Sequence, residues 1–300
     1  MPKLVNLGSL CVDNVYTVPA ITKPGETVAA LDYQQHPGGK GLNQSLAAAR
    51  AGLDVVHVGC VGSDGRWLTE VLASAGVDVA GLRISETEPS GHAVIQVDAS
   101  GQNAIVVVGG ANQSLEQCDL EFALSALEAD DWLIIQNEIN NIGHILNVFS
   151  ELPSRIAFNV APADPRVVDY PLDVVDLLII NEIEAAAIAD GAAPAEALDL
   201  LCARYSTCHV VLTCGAQGLR YGMGGDRLEL PAFPVDAVDE TAAGDAFIGF
   251  LMHGWLNGHG QAEALAWASA AGALAVTVAG AATSIPTAAE VAEFLQRVQD

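Results

Sequence analysis

Lysine is almost missing from this chain: only Lys3, Lys23 and Lys40 occur in 300 residues. Lysine and arginine together number 12 against 37 aspartates and glutamates, a formal net charge of -25. Such a surface repels polyanions, so neither nucleic acid nor an anionic membrane is expected as a partner. The acid excess fits ordinary solubility or a salty habitat. No two of the six cysteines (Cys11, Cys60, Cys118, Cys202, Cys208 and Cys214) have Cys-x-x-Cys spacing, which speaks against a zinc or redox pair. Most lie in apolar runs such as "HVVLTCG" and are expected to be free thiols in a reducing cytoplasm. No apolar stretch reaches about 18 residues without a charge, a glycine break or a helical stripe, so no membrane span is expected. The opening "MPKLVNLGSL" reads as a strand and lacks the basic region and long apolar stretch of a signal peptide. No Gly-x-Gly-x-x-Gly follows the first strand, which disfavours a dinucleotide-binding oxidoreductase. The histidines show no metal-binding spacing.

What is present is a hydrophobic chain, 51% apolar and 16% charged, with material for a large core. Strand-like runs ("KLVNLGSL", "DVVHVGCVG", "DWLIIQN", "RIAFNVAP", "VVDLLIIN", "HVVLTCG") alternate with helical segments such as "NQSLAAARAG" and "GRWLTEVLASAG", which close at Gly52 and Gly76. Strands apolar on both faces and joined by helices predict a mostly parallel sheet covered on both sides. Residues 26–39 and 91–110 break the rhythm. The second segment carries a hairpin signal at Ser100-Gly101, so a small separate β layer is predicted. The C-terminal third reads as helices over Ala246 to about Asn257, then "QAEALAWASAAGALAVTVAG", then a helix opened by the capping box Thr287 and Glu290. Neither a repeat nor a linker divides the chain, which predicts one domain over 1–300.

Four stretches hold candidate chemistry. In "DETAAGDAFIGF", Ala242, Ala243 and Gly244 form a turn of tiny residues ahead of a helix, with Asp245 in its first turn. Unpaired N–H groups and the helix dipole make such a start an anion site, although Asp245 also suits a plain helix cap. "HPGGKGLNQS" repeats the design, with Gly38, Gly39, Lys40, Gly41 and Asn43, and is not a Walker A loop. A flexible loop and cap explain it equally. "NEIE" sets Asn181 and Glu184 at a strand-to-helix junction, suited to hydrated magnesium or to capping. "LTCGAQG" places Thr213, Gly215 and Gly218 after a strand, a weak nucleotide signal.

In order and separation these motifs, with "NLGSLCVD", "PGETV" and "AGAATSIP", resemble the ribokinase-like (PfkB) family of carbohydrate and nucleoside kinases over essentially the whole chain. The Gly-Gly-Lys-Gly form resembles its ribokinase branch. The resemblance implies a three-layer α/β/α sandwich with a small β lid formed from roughly 13–37 and 90–110. It also implies transfer of the γ-phosphoryl group of ATP to a sugar, with a homodimer through the lid strands. Asp245 is then the general base, and the N–H groups of Ala243, Gly244 and Asp245 are the anion hole. The positive helix end is expected to lower the pKa of Asp245. Asp13, Gly39, Lys40, Asn43 and Glu138 would hold the sugar, Asn181 and Glu184 a hydrated Mg2+, and Asn181, Thr213, Gly215 and Gly218 the nucleotide. Asp239, Thr241, Gly280 and Ser284 match the loops for a monovalent cation, K+. Two positions depart from the branch: Cys11 replaces an asparagine beside the sugar, and Glu240 replaces a threonine. The first keeps a nucleoside kinase or another sugar open. A catalytically silent sugar-binding regulator is disfavoured because Asp245 and its turn are intact.

Overall fold

The computed structural model describes residues 2–299. The chain opens with β1 (Leu4–Leu7), β2 (Cys11–Thr17) and β3 (Asp32–Gly38), which runs into α1 (Lys40–Ala51). There follow β4 (Val55–Gly62), α2 (Arg66–Ser74), β5 (Asp78–Ser85), β6 (Gly91–Val97), β7 (Asn103–Val108) and α3 (Gln117–Ala126). The middle holds β8 (Trp132–Gln136), α4 (Ile142–Phe149), β9 (Arg155–Asn159), β10 (Leu177–Asn181), α5 (Glu182–Ile188), α6 (Pro194–Arg204) and β11 (His209–Thr213). Last come β12 (Leu219–Met223), β13 (Asp226–Leu230), α7 (Ala243–Leu256), α8 (Gln261–Ala275) and α9 (Ala288–Gln299).

One sheet runs β13-β12-β11-β10-β9-β8-β1-β4-β5, parallel except where β12 and β13 turn back. The chain builds outward from β1 to β4 and β5, then returns to β8 on the other side of β1. The order therefore reverses between β1 and β8. In open α/β sheets the crevice beyond the carboxyl ends of the strands at such a switch is where ligands bind. The expected α/β sandwich is the one observed, with helices on both faces.

The two-residue strand period distributes side chains between those faces. Leu4, Trp132, Ile134, Ala157 and Ile179 join a core with α1, α7 and α8. Val5, Leu7, Leu133, Ile135 and Phe158 join a second core with α3, α4 and α6. The same alternation assigns Asn6, Gln136 and Asn159 to the α1/α7 face, near the carboxyl ends of β1, β8 and β9. All three are buried. An aliphatic side chain at such a position contributes roughly 1.5–3 kcal/mol, so amides there are a departure from what packing alone favours.

Helices α1 and α7 lie against each other on that face. A Cβ on Gly249 would collide with Ala47 and the backbone of Ala48, so glycine sets the closeness of the two helices. Their amino ends, Lys40 and Ala243, consequently meet beside the switch point.

A second sheet, β3-β2-β6-β7, stands apart from the first. β2 and β6 pair in parallel, and β6 and β7 form a hairpin whose turn is organised by Asp98 Oδ1, which accepts from the N–H groups of Ser100 and Gln102 at 2.8 and 3.1 Å. Two segments depart from their predicted form. Only Asp32–Gly38 of the 26–39 run is strand, because the residues before it are largely exposed and lie outside the ladder. The helix predicted through residue 280 stops at Ala275, where Val276 O turns to accept from the N–H groups of Val238 and Asp239 at 2.7 and 3.1 Å. Among the described residues no helix is long and apolar enough to cross a membrane, and Cys118 alone of the six free cysteines is exposed.

Candidate active site

Asp245 is the third residue of α7 and only 7% exposed. Its Oδ2 accepts from Asn43 Nδ2 at 3.0 Å and its Oδ1 from Gln44 Nε2 at 2.9 Å. Both donors sit in the first turns of α1. Burial is the largest influence on Asp245 and pushes it above the usual carboxylate range, with Glu138 adding to that; Lys40, Gln44 and Asn43 pull the other way. The expectation of a lowered pKa is therefore corrected: loss of water outweighs Lys40 and the two amide donors.

The turn before Asp245 carries its own signal. Ala242 holds φ 59°, ψ 8°, a left-handed conformation that costs a non-glycine residue roughly 1–3 kcal/mol. Its carbonyl accepts from Ala246 N at 2.8 Å, while Ala243 N donates to Glu240 O at 3.3 Å. The N–H groups of Gly244 and Asp245 find no acceptor among the described residues. Of the three expected anion-hole donors, two are free and the Ala243 N–H is engaged. Gly244 is exposed, its φ is not left-handed, and a Cβ there would meet nothing within 4 Å. Neither backbone conformation nor protein packing requires glycine at 244.

The other turn differs. Gly39 has φ 93°, and a Cβ would press on Cys11 N at 2.9 Å and Leu10 Cα at 3.1 Å. Cβ atoms at Gly38 and Gly41 would strike the Asp13 carboxyl and the Ser9 backbone respectively. These glycines admit the β1–β2 connection and the Asp13 side chain. In consequence Asp13, Glu138 and Lys40 converge. Glu138 Oε2 accepts from Ser9 Oγ at 2.5 Å and from Lys40 N at 3.0 Å. The Asp13 carboxyl makes no hydrogen bond among the described residues, and burial first, then Glu138, raises it to about 6. Burial works against the Lys40 ammonium, but Asp245, Glu138 and Glu184 carry it above its ordinary value. Cys11 is buried, its thiol pushed up chiefly by burial, and its Sγ accepts from Asn112 Nδ2 at 3.5 Å. Asn43 Oδ1 is buried without a partner.

Asn181 and Glu184 form a complete capping box. Asn181 N and Nδ2 donate to the two Glu184 oxygens at 2.8 and 3.0 Å, and Asn181 Oδ1 accepts from Ile183 N and Glu184 N at 2.9 Å each. Burial raises Glu184, with Asn181 and Lys40 opposing. No cluster of three or more direct metal ligands occurs among the described residues. Thr213 ends β11 and donates to Ile180 O at 3.4 Å. Gly215 has φ 51° and open space at its Cβ position, whereas Gly218 has φ 92° and packs on the 230–232 backbone. Asp239 Oδ1 accepts from Thr241 N and Oγ1 at 2.9 and 2.6 Å, and Oδ2 from Gly280 N at 2.8 Å. Burial works against its charge, but these donors hold Asp239 below the usual range. Ser284 Oγ, buried, donates to Ala281 O at 2.9 Å. Glu240 is exposed and contributes only its carbonyl.

The sequence model described as the pfkB family carbohydrate kinase matches residues 1–288. The chain belongs to this family. Its relatives include the ribokinase of Haemophilus influenzae, 35% identical with 98% of each chain covered. The ribokinase of Bacillus subtilis is 36% identical, with 98% of this chain and all of that one covered. The solved structure of Arabidopsis thaliana ribokinase complexed with ribose and ATP superposes with a TM-score of 0.86 at 27% identity, covering 98% of this chain and 99% of that one. For a member of this family, Gln44, Ser9, Gln136 and Asn6 are the residues that motif reading passed over. Their signal is a polar residue inside an otherwise apolar buried segment, as in "LVNL" and "WLIIQ".

Asp13 has a folded-state value of about 6 against 3.8 unfolded, so the stability it contributes is full below the unfolded value and is lost as pH rises through about 6. Asp13→Asn is therefore expected to melt at a higher temperature than the parent protein above pH 6, the gap closing toward pH 4. Calorimetry without sugar measures this, and a variant less stable at pH 7.5 would contradict it.

Proposed function

We propose that this protein transfers the γ-phosphoryl group of ATP to a hydroxyl of a small sugar, ribose or a close relative, with Asp245 as general base. The observation that carries the reading is a buried carboxylate held by two amides beside the free N–H groups of Gly244 and Asp245. The attacking hydroxyl gives its proton to Asp245 as its oxygen bonds to phosphorus and ADP departs. The raised pKa makes Asp245 a stronger base than an exposed aspartate. Gly244 and Asp245 supply preorganised donors for charge on the transferring group. The ligands of a structural neighbour support this assignment: the Arabidopsis enzyme was solved with ribose and ATP.

Asp13, Glu138, Lys40, Asn43 and the Gly39 turn line the sugar position. Asn43 Oδ1 and the Asp13 carboxylate are acceptors left without protein donors, as sugar hydroxyls require. At Cys11 a thiol stands where an amide would both donate and accept, which narrows the acceptor to sugars that make no strong hydrogen bond there. Thr213, Gly215 and Gly218 border the nucleotide. Asn181 and Glu184 fit a hydrated Mg2+ through its waters, since the Glu184 oxygens already accept from Asn181 and Asn181 Oδ1 from backbone N–H groups; the ion would shield ATP from the surrounding acids. Asp239, Thr241, Gly280 and Ser284 fit a structural K+ that braces the loop ahead of the anion hole. The small sheet acts as a lid that excludes water. Its edge strand β7 exposes Ile105, Val106, Val107 and Val108, an unpaired apolar edge suited to a second copy of the chain.

Asp245→Asn is expected to lower turnover by roughly 100- to 10,000-fold while sugar binding by calorimetry persists. Near-parent turnover would remove the base assignment. A coupled ADP assay over a panel of sugars and nucleosides then identifies the acceptor and separates a nucleoside kinase. Rates in K+ are expected to exceed those in Na+, and equal rates would count against the Asp239 loop. Sedimentation of the parent chain is expected to show a dimer that Val106→Lys dissociates; a parent monomer would rule that interface out.

A further inference from the structure

The buried amides behind Asp245 form a chain with a fixed polarity. Gly41 O is a backbone carbonyl and can only accept, so Asn6 turns its Nδ2 toward it, at 2.9 Å. Asn6 Oδ1 must then accept, and does so from Gln136 Nε2 at 3.1 Å. The same Gln136 nitrogen donates to Gln44 Oε1 at 2.8 Å. With its carbonyl occupied, Gln44 presents Nε2 to Asp245 Oδ1 at 2.9 Å and to Asn159 Oδ1 at 3.1 Å. Asn159 is oriented likewise by a backbone carbonyl, donating Nδ2 to Ile179 O at 3.2 Å. Two carbonyls at the ends thus dictate the sense of every amide between them.

We infer that Gln44 is a positioning residue for phosphoryl transfer, held by Gln136 and Asn6 so that Asp245 always meets a donor and never a carbonyl. This rests on the reading of Asp245 as base and extends it to the residues behind it. Asn6, Gln44 and Gln136 are 0% exposed. Gln136 Oε1 is left without a partner, and a Cβ on Gly8 would press on that oxygen at 2.5 Å and on Asn6 Oδ1 at 2.6 Å. A core selected for stability alone would not keep an unsatisfied acceptor in a half-satisfied network. The donor fixes the rotamer of the base and keeps it ionised in a site where burial favours the acid form. The charged groups acting on Asp245 are Lys40 from α1, which favours the carboxylate, and Glu138 from the segment after β8, which opposes it. Neither is altered when Gln44 is replaced. Because the chain starts at Gly41 O, in the turn beside Lys40, it also ties the placement of the base to that turn.

The test is the pH dependence of single-turnover phosphoryl transfer in the intact protein with MgATP and ribose, or the acceptor found in the sugar panel. Gln44→Met keeps volume and removes the donor. The acid limb of the rate is expected to move up by about one pH unit, the worth of a hydrogen bond to a charged acceptor, with sugar KM unchanged. Gln136→Met frees the Gln44 amide to turn over and is expected to move the limb in the same direction by less. If Gln44→Met fails to fold, Gln136→Met decides. Parent-like acid limbs in the folded variants, or losses confined to KM, overturn the inference while leaving the base in place. Asp245→Asn with parent-like turnover would instead overturn the base itself.

Discussion

A single buried carboxylate and its two amide donors organise the catalytic half of this molecule. Asp245 lies 201 and 202 positions from Gln44 and Asn43, yet the three meet because α1 and α7 pack at glycine distance through Gly249. Were the helices further apart, Asp245 would be an ionised group in the core with no partner. Held as it is, it joins the start of α1 to the start of α7. The switch point between β1 and β8 brings Asp13 and Glu138 to the same place.

The electrostatics follow from that arrangement. Asp13, Glu138, Glu184 and Asp245 surround one lysine, Lys40, whose ammonium is raised by three of them. Such a site disfavours another anion, and the whole chain repeats the bias with its charge of -25. Under the proposed function, ATP binding would lean on local devices rather than on a broad positive field: free N–H groups, Lys40 and a hydrated cation beside Glu184. At a distance the acidic surface slows the approach of ATP, and salt screens that repulsion.

The glycines separate packing from function. Gly39, Gly41, Gly218 and Gly249 are each pressed by protein atoms, so their smallness serves the fold. Gly244 and Gly215 face open space, and only Gly215 has a left-handed φ. A motif reads the same in both cases, since one letter records a small residue without recording what approaches it.

Much of this was legible in the chain itself. Apolar runs alternating with helical stretches specified a covered parallel sheet, because period and polarity are local properties. The order and spacing of "PGGKGLNQ", "NEIE" and "DETAAGD" specified the family. The pKa of Asp245 was misjudged, because a helix start is visible in sequence and the burial around it is not. Gln44, Gln136 and Asn6 were passed over for the same reason: their partners lie between 35 and 201 residues away. The sequence alone determined which elements form and which residues carry charge. Tertiary structure alone decided how much water those charges lose and which amide end each one meets, since desolvation and hydrogen-bond direction exist only once distant segments are packed together.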